Sequence, residues 1–247
     1  MGFFCKQIRE KESEAVVEEL VDKSLKNKEY FKIITKFIYN AIHVSSYESV
    51  KLMISAQYNF PSEIELLLDD FYDDTRDKVS LRRGEFVELL VLRGLYQDER
   101  LNKMRECEPG FDGELLKIKF KGRKLNKNFD VSFWQDNRWA ELYECKVNMY
   151  SILNASNKWD KLIFMNEVYY HLENKIDEVK VYLGDIGTVN KLNDRLNVFA
   201  NALNKKLRDV VIKSINGIFS HQFYDKEVKL DFFNRDSLIK RIFLDCC

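Results

Sequence analysis

The sequence predicts an α/β protein in which helices flank a mixed central sheet, behind a mostly helical N-terminal region. Three observations predict it. Apolar residues recur at helical spacing through much of residues 1–80. Three strand-like runs follow at 114–121, 129–135 and 138–147, the last two separated by Asp136-Asn137, a hairpin signal. Beyond them, helix-like and strand-like segments alternate.

Within residues 1–80, segment 8–25 is charged and amphipathic, with Ala15, Val16, Leu20 and Val21 at helical spacing. Segment 29–43 is denser in apolar residues and predicts a buried helix. Pro61-Ser62 breaks the pattern and starts a short helix through Leu68. Glu63, Glu65, Asp69, Asp70, Asp73, Asp74 and Asp77 form an acidic run that reads as a solvated face. Residues 82–97 predict a strong helix with Ser80 as its N-cap. After the three strands come a helix over 157–173, a strand over 178–183, a helix over 188–206 and a strand over 209–215. The apolar patch at 230–234 has no clear period. The expected division is a helical region at 1–80 and an α/β domain at 81–247.

Composition narrows the function classes. Of 247 residues, 40 are Lys or Arg and 40 are Asp or Glu, so the formal net charge is zero. That speaks against a broadly cationic nucleic-acid coat protein and leaves room for a local basic track. No apolar run approaches the ~20 residues that cross a bilayer, so no membrane association is expected. The N-terminus turns charged at Lys6, which breaks both a secretory signal and the myristoylation pattern begun by Gly2. Cys5, Cys107, Cys145, Cys246 and Cys247 form no CxxC pair, and His43, His171 and His221 are scattered. Reduced thiols in a cytoplasmic protein without structural zinc are the expectation.

The informative segment joins Asp130 to Glu144-Cys145-Lys146. Strand side chains alternate, so Glu144 and Lys146 share one face and Cys145 takes the other. A carboxylate and an ammonium two residues apart suit metal-dependent phosphodiester cleavage: the acid ligates a hard divalent ion, and the lysine serves the attacking water. A two-residue turn would set Asp130 opposite Tyr143. A three-residue turn, 136–138, pairs Gln135 with Trp139 and brings Asp130 opposite Glu144 on the same face. The three-residue register is the expectation.

From the helix at Arg82 to about Leu183, this arrangement resembles the PD-(D/E)xK nuclease superfamily, the restriction-endonuclease-like fold. Phe129 stands where the motif name calls for Pro. The resemblance implies a metal-dependent endonuclease with Asp130 and Glu144 as ligands of Mg2+ or Mn2+ and Lys146 as the catalytic lysine. It also implies a supporting acid from the upstream helix, Glu85 or Glu88, in a catalytic or metal-binding role. In organisation the chain is similar to the effector nuclease of Hachiman-type anti-phage defence, which implies control by a partner helicase or ATPase subunit.

Between Leu115 and Asn128 there are six basic residues and no acid. Lys117, Lys119, Lys121, Arg123 and Lys124 are candidate phosphate contacts, because Lys and Arg supply most sequence-independent affinity for nucleic acid. In one strand, Lys117, Lys119 and Lys121 would form a basic ridge ahead of Asp130. Lys158 and Lys161, opening the next helix, are further DNA-contact candidates. Trp134, Trp139 and Trp159 read as core before they read as base-stacking platforms. Arg82 and Arg83 sit unfavourably near the expected helix N-terminus, a conflict that a bound phosphate or solvent would relieve.

No phosphate loop, dinucleotide fingerprint, serine-hydrolase elbow or HExxH occurs, and no base-reading motif is visible. Gly184-Asp185-Ile186-Gly187 is a bare GxxG with little weight. The leading expectation is a nuclease cutting DNA as a partner-controlled anti-phage effector. Its rivals are a stand-alone, homodimeric type II restriction endonuclease, an RNA endonuclease, and an inactive scaffold binding a partner through the acidic run. The RNA reading would want a histidine at the metal, and the surroundings of His43 read as core.

Overall fold

The computed structural model describes residues 14–96, 108–111, 118–120, 123–125, 129–135, 139–149, 165, 169, 172–173, 176–187 and 231–243. Five helices come first: α1 (Ala15–Lys26), α2 (Lys28–Asn40), α3 (Tyr47–Ser55), α4 (Ser62–Tyr72) and α5 (Arg76–Tyr96). Local chemistry sets several boundaries. Asn27 is extended and its side chain accepts the Tyr30 N–H at 2.8 Å, so it separates α1 from α2 and caps the latter. Pro61 precedes α4, where its missing N–H costs nothing.

Helix α2 ends at Asn40 rather than continuing to residue 43. Ala41 leaves the helical region there, and Arg83 secures the ending. Its guanidinium is buried and donates to the carbonyl of Ile38 at 3.0 and 2.8 Å and of Ile42 at 3.1 Å, satisfying acceptors that a helix end leaves open. His43, just beyond, is exposed, which corrects the expectation that its neighbourhood is core.

Helix α5 starts at Arg76, so Ser80 lies inside it and is not a cap. Arg82 and Arg83 are therefore not at a helix N-terminus, and no phosphate is needed to relieve them. Arg82 donates to the Phe71 carbonyl at 2.8 Å at the end of α4 and pairs with Asp74 at 3.1 Å and with Glu14. The helix also crosses the expected 80/81 division. One buried hydrophobic cluster joins Val17, Leu20, Ile34, Phe37 and Phe71 of α1, α2 and α4 to Phe86 and Leu90 of α5 and to Val131, Phe133 and Tyr143 of the sheet.

The sheet is α/β and mixed. Its strands, in spatial order, are β1 (Glu108–Phe111), β4 (Val131–Gln135), β5 (Trp139–Lys146), β6 (Glu178–Asp185) and β7 (Asp231–Phe233). The β1–β4 and β4–β5 pairs are antiparallel, and β5–β6 and β6–β7 are parallel. Val131, Phe133, Trp139, Tyr143 and Cys145 face the helical cluster. Ala140, Leu142, Val181 and Leu183 are buried too, so the central strands are covered on both faces, as parallel pairing favours. Gly184 is required by packing: a Cβ there would lie 2.0 Å from the Phe233 carbonyl oxygen on β7. The apolar patch at 230–234 thus supplies β7. Helix α6 (Arg235–Ile242) follows at once, its start fixed by a reciprocal cap between Asn234 and Ser237.

The run at 114–121 departs from expectation. Only Ile118–Phe120 forms a described strand, β2, and it pairs with β3 (Arg123–Leu125) in a separate two-stranded sheet. The sheet neighbour of β4 is instead β1, which period-two reading did not pick out. Residues 165, 169, 172 and 173 are helical, within the helix expected at 157–173. The expected helix at 188–206 and strand at 209–215 lie outside the described residues. Among the described residues no helix is long and apolar enough to cross a membrane.

Candidate active site

The β4–β5 register is the one a three-residue turn requires. Gln135 pairs with Trp139 and Val131 with Tyr143. The next position brings Asp130 against Glu144, and both carboxylates meet one ammonium. Lys146 Nζ lies 2.6 Å from Glu144 Oε1 and 3.1 Å from Asp130 Oδ2. It also donates to the Cys145 carbonyl at 2.8 Å. Asp130 is held by a second bond, since its Oδ2 accepts the Cys145 N–H at 2.7 Å. Beyond the last ladder pair, that carboxylate takes the N–H in place of a strand carbonyl.

The group is sheltered. The Glu144 side chain is 4% exposed, Asp130 16% and Lys146 27%. Burial alone disfavours the charge on Lys146, but Glu144 and Asp130 outweigh it and hold the ammonium above the ordinary lysine range. Cys145 points into the core on the opposite face. Burial pushes its thiol well up, with Asp130, Glu88 and Glu144 adding to the shift and Lys146 opposing it. The Cys145 thiol is thus kept neutral, unlike a nucleophilic thiolate.

That same influence locates the helical acids. Glu85 and Glu88 are both partly buried on α5, and the charge of Glu88 reaches Cys145, between Glu144 and Lys146 on β5. Cys145 faces the helical layer, so this interaction places Glu88 near the strand end from the face opposite Glu144 and Lys146. Among the described residues no group of three or more His, Cys, Asp or Glu is placed to hold a metal ion. Two convergent carboxylates still fit Mg2+, which binds through one or two protein carboxylates and completes its shell with water and substrate phosphate.

The basic candidates are only partly placed. Lys119 of β2 is in register with Lys124 of β3, and Phe120 with Arg123. The strand carrying Lys119 is not the sheet neighbour of β4: among the described residues it belongs to a separate two-stranded sheet. Lys117, Lys121, Lys158, Lys161 and Trp159 lie outside the described residues. Trp139 is core. The acidic run is largely engaged within the helices: Glu63 pairs with Lys23 at 2.6 Å, Glu65 and Asp69 with Lys51 at 3.0 and 2.8 Å, and Asp74 with Lys78 and Arg82, both at 3.1 Å.

Two polar groups escaped the sequence reading. On the helical face of β5, fully buried Glu141 accepts from Tyr143 at 2.5 Å and from Arg241 of α6 at 3.0 Å, and Arg241 also bonds the Tyr143 hydroxyl. Tyr143 stacks on Tyr182 of β6, with ring centres 4.7 Å apart. The other is Asp185, at the end of β6 and in register with Lys146. Its Oδ2 accepts the Met149 N–H and its Oδ1 the Gly187 N–H, each at 2.8 Å. Alternation marks the face of Glu141, but nothing local names Arg241; the Gly-Asp-x-Gly spacing of 184–187 was the one signal for Asp185.

The fold and site define an α/β protein with an Asp–Glu–Lys group at the carboxyl end of a parallel strand pair, where open sheets place their ligands. Comparison with protein-family models, curated proteins and solved structures returns no match.

Proposed function

We propose that this protein is a divalent-metal-dependent nuclease hydrolysing DNA phosphodiester bonds, on a restriction-endonuclease-like core. The observation that carries the reading is the convergence of Asp130 and Glu144 on Lys146. The order of α5, the antiparallel strands β1, β4 and β5, and the parallel strand β6 supports it as well.

Asp130 and Glu144 would hold Mg2+ or Mn2+, with Glu88 of α5 supporting from the helix. The bound ion supplies Lewis-acid polarisation of the phosphate and a water of lowered pKa. Asp130 is oriented by the Cys145 N–H, and Glu144 is buried, so both carboxylates are held in place by the fold. Lys146 is held as an ammonium, which fits donation to a water or a phosphate oxygen and opposes a role as proton acceptor. Lys119, Arg123 and Lys124 would contribute phosphate contacts. Control by a partner ATPase subunit or by a second copy, in an anti-phage effector, belongs to the same proposal.

The test is degradation of plasmid and single-stranded DNA with and without Mg2+, by wild type and by the Glu144→Ala/Lys146→Ala double variant. Cleavage should require the metal and be lost in the variant. Equal cleavage by both proteins rules the site out.

A further inference from the structure

Lys146 ends β5, and the chain must turn immediately after it. Asp185 holds that turn. It sits beside Lys146 in the parallel β5–β6 ladder, is 1% exposed, and takes the Met149 N–H on one oxygen and the Gly187 N–H on the other. One carboxylate therefore joins the segment leaving β5 to the segment leaving β6. Its charge is not isolated. Buried Arg235 at the start of α6 donates its Nε–H to the Ile186 carbonyl at 3.0 Å, and Asp185 acts electrostatically on its guanidinium.

The far side of this turn is equally confined. A Cβ at Gly187 would lie 2.8 Å from Asp185 Oδ1 and 2.9 Å from the Tyr39 ring of α2. Tyr39 belongs to the helix end that Arg83 ties to α5. Asp185 is thus braced from the helical layer on one side and grips the backbone just beyond Lys146 on the other. Both its oxygens are engaged with backbone, which suits orientation of the neighbouring strand end and not contact with substrate.

We propose that Asp185 is a positioning residue that fixes the strand end carrying Lys146, acting through the Met149 and Gly187 backbone N–H groups. This rests on the reading of Asp130, Glu144 and Lys146 as the catalytic group. Outer-shell groups that hold a functional side chain in place typically change activity about 10–100-fold when replaced.

The full chain is compared with Asp185→Asn, which keeps the volume but only one acceptor oxygen, and with Gly187→Ala, which crowds Asp185 Oδ1 without touching Lys146. Two readouts are taken: Mg2+-dependent DNA cleavage, resolved into kcat and KM, and the 13Cε NMR signal of Lys146. Both variants should fold, lower kcat about 10–100-fold with KM within about twofold, and move the Lys146 signal. An unmoved Lys146 signal in both overturns the proposal, as does an unchanged kcat, or loss of the fold in both variants. If wild type cleaves nothing while the Lys146 signal still moves in the variants, the positioning role stands and the nuclease reading falls.

Discussion

Asp130 Oδ2 lies 3.1 Å from Lys146 Nζ across a separation of 16 residues. The contact exists because the antiparallel register places Asp130 against Glu144, and Lys146 follows two residues later on the same face. One ammonium is shared by two carboxylates that would otherwise repel. In a nuclease, the metal and the lysine would therefore share the same pair of carboxylates.

That sharing separates metal binding from catalysis. Lys146→Met should bind Mg2+ at least about tenfold more tightly than wild type, because a nearby positive charge has been removed. The same variant should cleave DNA about 10²–10³-fold more slowly, the usual loss when one electrostatic donor is removed. Calorimetric Mg2+ titration beside plasmid cleavage reads both. Weaker Mg2+ binding by the variant would contradict the sharing of these carboxylates between lysine and metal.

The lysine also predicts a pH dependence. Its folded-state value is raised, so its pairing stabilises the fold fully below the ordinary lysine value of 10.5 and is lost as pH climbs through the higher folded value. The thermal midpoints of wild type and Lys146→Met should differ by a constant amount from about pH 7 to pH 10 and converge above that. A gap that closes in the neutral range would mean that the pair is not the source of the stability.

On the other face of β5, Arg241→Met would remove the guanidinium that pairs with the buried Glu141 carboxylate. The expected cost is about 3–5 kcal/mol, as for other buried pairs broken from one side. Arg241→Met combined with Glu141→Gln should recover a large part of it. Urea denaturation of both single variants and the double variant forms the cycle. Additivity within about 0.5 kcal/mol would show that the two residues are not coupled.

The candidate site was legible to the extent that its geometry is local. Glu144, Cys145 and Lys146 alternate along one strand, so period placed them; what Asp130 faces hung on a turn of two or three residues, and the observed register is that of the three-residue turn. Glu85 and Glu88 are one turn apart in the sequence, and only the packing of α5 on the strands brings Glu88 close enough to act on the Cys145 thiol. The basic run was legible as charge and misread as architecture. Alternation at 114–121 does not reveal that β2 pairs with β3 while β1 takes the place beside β4.

By itself the sequence determined the α/β class, the helical character of the N-terminal region, the pairing of β4 with β5 and the shared face of Glu144 and Lys146. Each depends on intervals of a few residues, over which backbone period and turn chemistry dominate. Only the tertiary structure decided that α5 belongs to both halves of the chain, that Arg83 secures the end of α2, and that Arg241 meets Glu141 at a separation of 100 residues. The same holds for Asp185, gripping the turn after Lys146 from the neighbouring strand. Those partners are chosen by which buried polar groups must be satisfied once the layers close, and that demand arises only in the folded chain.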